Sequence, residues 1–66
     1  MRIRVNGKDS EVADGLTVSG LIESMELNPC AVVVELNLWI LPREEWDRYV
    51  LKIDDIVEII SFVGGG

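Results

Sequence analysis

Few residues in this 66-residue chain are equipped for chemistry, and no histidine is among them. Three places come into question. Cys30 is the one thiol; it reads as a small apolar strand residue, with a sulfur-relay nucleophile as the sharper alternative. Asp54 and Asp55 set two carboxylates side by side, a donor pair for a metal ion. Adjacent acids at a turn are more often simply solvated, and no metal is expected. Gly64, Gly65 and Gly66 form a terminus without side chains. Taken alone they admit two readings, a frayed end or a thread that another protein grips. Without histidine, the group that most readily moves protons near neutral pH is missing, and a zinc site built on His and Cys is out of reach. No catalytic residue is expected.

The bulk composition narrows the field further. A chain of this length buries only about 60% of its unfolded surface, enough for one small core but not for an enclosed substrate cavity. A single cysteine excludes an internal disulfide. Twelve Asp and Glu against six Lys and Arg give a formal charge of −6, which repels nucleic acid and anionic membranes. A hydrophobic fraction of 48% is that of a folded globule. No run approaches the roughly 18 apolar residues of a membrane-spanning helix. The first five residues lack the continuous apolar stretch of a signal peptide, so a cytoplasmic location is expected.

The hydrophobic pattern predicts the elements that would carry these groups. Met1, Ile3 and Val5 alternate with Arg2 and Arg4 as a half-buried strand. Asn6-Gly7 is a strong hairpin signal and leads into a second strand from about Lys8 to Ala13, closed by Asp14-Gly15. Val18, Leu21, Ile22 and Met25 then form one helical stripe, with Thr17 as N-cap, Leu16 packing on Leu21, Gly20 weakening the first turn and Asn28-Pro29 ending the helix. Cys30 to Leu36 suits a strand covered on much of both faces. Asn37 offers a turn before a short return strand, Leu38 to Leu41. Pro42 opens a helical turn that carries Trp46, Tyr49 and Val50 on one side. Asp54-Asp55 turns into a last strand, Ile56 to Phe62. One helix across one face of a mixed sheet of four to five strands is the economical α+β arrangement, a ubiquitin-like β-grasp fold. Residues 1–62 make the domain and residues 63–66 a flexible tail.

Three segments carry a family likeness: Asp14-Gly15-Leu16-Thr17-Val18 with Leu21-Ile22-Glu23; Asn37 with Leu41-Pro42-Arg43-Glu44-Glu45-Trp46; and Val57-Glu58-Ile59 leading to Val63-Gly64-Gly65-Gly66. Over its entire length the chain resembles the ThiS family, the bacterial sulfur carriers of thiamine biosynthesis. The Pro-Arg-Glu-x-Trp segment is the most specific part; a terminal Gly-Gly is shared across ubiquitin-like proteins. The chain departs from the family at Asp54-Asp55, where a Gly-Asp turn is usual, and at the bulky Leu38-Trp39.

The resemblance implies that the carboxylate of Gly66 is the reactive group and that the protein is a co-substrate, not an enzyme. A ThiF-like adenylyltransferase would adenylate it with ATP, which the carrier itself does not bind. Sulfur from a donor such as a cysteine desulfurase persulfide would replace the adenylate. The thiocarboxylate would then pass to a ThiG-like thiazole synthase. The residues suit this chemistry. An α-carboxyl is ionised at neutral pH, its acyl carbon in glycine has no neighbouring Cβ, and Val63, Gly64, Gly65 and Gly66 can extend roughly 13–14 Å into a partner channel. The small subunit of molybdopterin synthase shares this fold and chemistry. A ubiquitin-like modifier shares the adenylation, and a passive module with an inert tail shares the fold.

The last strand carries its own signal. Val57 and Ile59 should face the helix, which leaves Ile56, Glu58, Ile60 and Phe62 on the other side. Apolar residues on an open sheet face suggest a docking surface, with Phe62 beside the tail as anchor. The alternative is that they cover each other or pack on the loop carrying Trp46. Between residues 9 and 42 there are six acids and no Lys or Arg. Such a surface either speeds encounter with basic partners or simply keeps the chain soluble. Arg43 with Glu44 and Glu45 reads as a structural clamp, Trp46 as core and Trp39 as exposed.

Overall fold

The computed structural model describes residues 1–62; Val63, Gly64, Gly65 and Gly66 lie outside the described residues. Strand β1 (Arg2–Val5) buries Ile3 and Val5 and exposes the two arginines, as its alternation predicts. Asn6 and Gly7 both take positive φ, 49° and 81°. This tight turn returns the chain antiparallel into β2 (Lys8–Glu11). The strand stops two residues before Ala13, but Val12 still bonds Met1 through its amide at 2.9 Å and its carbonyl at 2.8 Å.

Helix α1 (Val18–Ser24) begins where Thr17 Oγ1 accepts from the Gly20 amide at 3.1 Å, the N-cap expected from sequence. Val18, Leu21 and Ile22 are buried. Gly20 has a packing role that propensity alone does not reveal. A Cβ there would come within 2.7 Å of Leu16 Cδ1, so Leu16 lies over the glycine. Met25 departs from the predicted stripe. It is the helix C-cap and 38% exposed, because Glu26 adopts φ 58° and turns the chain before Asn28-Pro29 is reached. Those two residues instead start a 3₁₀ turn (Pro29–Ala31), with Asn28 Oδ1 accepting from the Cys30 amide at 3.0 Å. Cys30 is therefore exposed in a turn and is not the buried strand residue that its apolar neighbours suggested.

Strand β3 (Val32–Leu36) buries Val32, Val34 and Leu36 and half-covers Val33 and Glu35. Asn37 and Leu38, at φ 49° and 76°, make a second two-residue turn into the short β4 (Trp39–Ile40), whose side chains are exposed. After Pro42 a 3₁₀ turn (Arg43–Glu45) delivers Trp46 to the core at 3% exposure, its Nε1 donating to the Leu41 carbonyl at 3.1 Å. Arg43 does clamp this region: it stacks over the Trp46 ring and reaches the Val32 carbonyl. Val50 does not share the burial of Trp46; it is exposed and bridges Thr17 as an isolated strand-like pair.

The sheet order is β2-β1-β5-β3-β4, with β5 (Ile56–Ser61) parallel to β1 and antiparallel to β3. The last strand of the described residues is thus the central one. Helix, Trp46 and the inward residues of β1, β3 and β5 share one core. The fold is the β-grasp expected, a five-stranded mixed sheet with one helix among the described residues.

Candidate functional site

The alternation of β5 decides which side chains meet water. Val57 and Ile59 are buried under the helix, whereas Ile56, Ile60 and Phe62 are 43%, 48% and 58% exposed and Glu58 is half-buried between them. Ile56, Glu58, Ile60 and Phe62 therefore do share the open face. The loop carrying Trp46 does not cover them, since Trp46 sits in the core and its carbonyl accepts from the Ser19 amide on the helix side at 3.1 Å.

Strand register extends this face sideways. Residues opposite one another point to the same side of a sheet. Val33 lies opposite Ile60, and Glu35 lies opposite both Glu58 and Ile40. On the other side Arg4 lies opposite Ile56 and is held by Asp9 at 3.5 Å. The result is an apolar field on β5, β3 and β4 with two carboxylates in it.

Beyond Ser61, the Phe62 amide donates to the Ala31 carbonyl at 2.8 Å, so the backbone is tied to the sheet up to the last described residue. Val63, Gly64 and Gly65, expected as the tail, and Gly66, expected as the reactive residue, lie outside the described residues.

Asp54 and Asp55 divide. Asp54 is a turn residue at φ 69°, but Asp55 is only 6% exposed. Its carboxylate accepts from Asn37 Nδ2 at 3.0 Å, the Tyr49 hydroxyl at 3.1 Å and the Lys52 amide at 2.8 Å. Asn37 Oδ1 in turn accepts from the Ile56 amide at 2.9 Å. This network fixes the start of β5 and explains why an acid is buried there. Sequence reasoning took both acids for solvated. The partners of Asp55 come from two segments, the turn at Asn37 and the loop holding Tyr49 and Lys52, and no sequence pattern announces their convergence. Among the described residues no helix is long and apolar enough to cross a membrane.

A small mixed sheet that grips one helix, its central strand followed in sequence by Phe62, Val63 and three glycines, defines a β-grasp protein of the ubiquitin-like class. Comparison with known proteins places it within that class. Residues 3–66 match the model of the ThiS family, and the chain belongs to that family. Sulfur carrier protein ThiS of Bacillus subtilis is 37% identical over 65 residues, covering 97% of this chain and 98% of the relative. The crystal structure of thiamine biosynthesis protein ThiS from Geobacter metallireducens is 40% identical and superposes with a TM-score of 0.85 over the whole of both chains. A thiazole synthase of Magnetococcus marinus is 35% identical over 66 residues, all of this chain but 20% of that protein. This chain thus spans a fifth of the length of that relative.

Proposed function

We propose that the chain is a sulfur carrier of thiamine biosynthesis that works through the carboxylate of Gly66. The observation that carries this reading is membership of the ThiS family over nearly the whole chain, glycine terminus included. A partner adenylyltransferase presents ATP to the tail. The Gly66 carboxylate attacks the α-phosphate, pyrophosphate leaves, and an acyl adenylate forms. The terminal sulfur of a donor persulfide, such as that of a cysteine desulfurase, then displaces AMP to give an acyl disulfide. A further thiol attacks the donor's sulfur in that S–S bond, releasing the thiocarboxylate and leaving a disulfide on the donor. The domain contributes no proton-transfer group. Its part is to hold β5 still, through the Asp55 network at one end and the Phe62–Ala31 bond at the other, while the glycines enter the partner's channel. Ile56, Glu58, Ile60 and Phe62 supply the docking face.

Thiazole synthase is the acceptor favoured over molybdopterin synthase. Support comes from the full-length alignment of this chain within a protein named thiazole synthase. The test is intact mass after incubation with a ThiF-type adenylyltransferase, ATP and a sulfur source. Exchange of one oxygen for sulfur at Gly66, followed by its loss on addition of thiazole synthase, is the expected result. An unchanged mass would overturn the carrier role, and covalent conjugates to other proteins would favour a modifier.

A further inference from the structure

Glu35 and Glu58 stand directly opposite each other on neighbouring strands, with Ile40, Ile56 and Ile60 around them and Phe62 at the far end of the same face. Like charges opposite one another in a sheet are destabilising, and half-burial removes some of the water that would screen them. Nothing in the described chain relieves this. Among the described residues no ion pair reaches either glutamate, since Arg4 is held by Asp9 and Arg48 by Glu45. Nor do Arg2 and Arg43 answer: Arg2 lies opposite Glu11, and Arg43 turns toward Trp46 and Val32. The protein therefore retains an uncompensated carboxylate pair in the middle of an otherwise apolar field.

Resting on the carrier reading above, we propose that Glu35 and Glu58 together form a cation receptor at the centre of the docking face, filled by a basic side chain of the adenylating enzyme. Arginine fits best, because its planar fork can serve both carboxylates while its faces lie against isoleucine. Charge selects this occupant over the others. A second copy of the chain would bring another carboxylate pair and its own charge of −6 against the first. A nucleic acid would bring phosphates. Apolar contact supplies adhesion, and the glutamates supply register, so that the tail beyond Phe62 is aimed at the nucleotide.

The experiment uses the full chain, a purified ThiF-type adenylyltransferase and ATP, with pyrophosphate release as readout. Glu35→Gln/Glu58→Gln should raise the KM for the carrier about tenfold or more at unchanged kcat, and flatten its dependence on salt. The same variant, melted alone, should match or exceed the wild type in Tm because the repulsion is gone. Glu58→Arg should also fold, pairing with Glu35, yet lose recognition altogether. Unchanged KM and salt dependence in the double glutamine variant would overturn the receptor while leaving the carrier role intact, as would a fall in its Tm. A wild-type chain that releases no pyrophosphate would overturn the carrier role and the receptor with it.

Discussion

Asn6 Oδ1 accepts a hydrogen bond from the Ile59 amide at 2.7 Å, joining residues 53 positions apart. Strand β1 pairs with β5 only at Arg4–Ile56 and Val5–Val57 before it turns away. The Asn6 side chain thus substitutes for the strand that has left. Asn6→Gly keeps the positive φ and removes the acceptor, and should cost about 1–3 kcal/mol. Asn6→Asp keeps both features and should remain close to wild type. Urea unfolding at constant m distinguishes these outcomes; equal midpoints for glycine and wild type would mean that the bond contributes nothing.

Asp55 is the buried acid among the described residues, and three donors converge on it. Asp55→Ala leaves Asn37, Tyr49 and the Lys52 amide without their acceptor, a loss of about 3 kcal/mol or more. In a domain this small, thermal melting should register it as a Tm lower by more than about 10 °C. A Tm close to wild type would show that water replaces the carboxylate without penalty.

Leu38 takes φ 76° with 82% of its surface exposed, in a turn position that suits glycine. The left-handed region costs a branched side chain about 1–2 kcal/mol, whereas glycine adds entropy to the unfolded chain. Leu38→Gly should therefore gain a net ~0.5–1 kcal/mol, a rise in Tm of a few degrees. Lower stability would mean that the exposed leucine has packing partners in solution.

Phe62 exposes its ring on the open face and donates its amide to the Ala31 carbonyl. Phe62→Asp replaces the exposed ring with a carboxylate and keeps the amide bond, so melting should change little while adenylation falls by at least about thirtyfold. Full adenylation of this variant would remove Phe62 from the docking face.

How far the sequence was legible depended on distance along the chain. The hairpin at Asn6-Gly7, the Thr17 cap and the burial of Val18, Leu21 and Ile22 were all readable because each is decided within a few residues. The exposed trio on β5 followed from simple alternation. Met25 and Cys30 were misread where backbone geometry overrode composition, at the left-handed Glu26 and the 3₁₀ turn begun by Pro29. Glu35 opposite Glu58 was not legible, since it needs the register between two strands separated by turns. The same holds for Asp55, whose partners Asn37 and Tyr49 lie 18 and 6 positions away. The expectation for Gly66 rests on family likeness alone and lies outside the described residues.

The strand order has one more effect. Strand β5 emerges last from the ribosome among the strands described, yet it lies between β1 and β3 and contributes Val57 and Ile59 to the core. Until it arrives, β1 and β3 have no common partner, and the helix has only part of a sheet to rest on. Tertiary structure therefore forms only after synthesis has reached the last strand, a few residues before the three glycines. A chain cut short before Ser61 lacks the full central strand and with it the open face built on that strand, so an unfinished chain has no formed surface there to offer another protein.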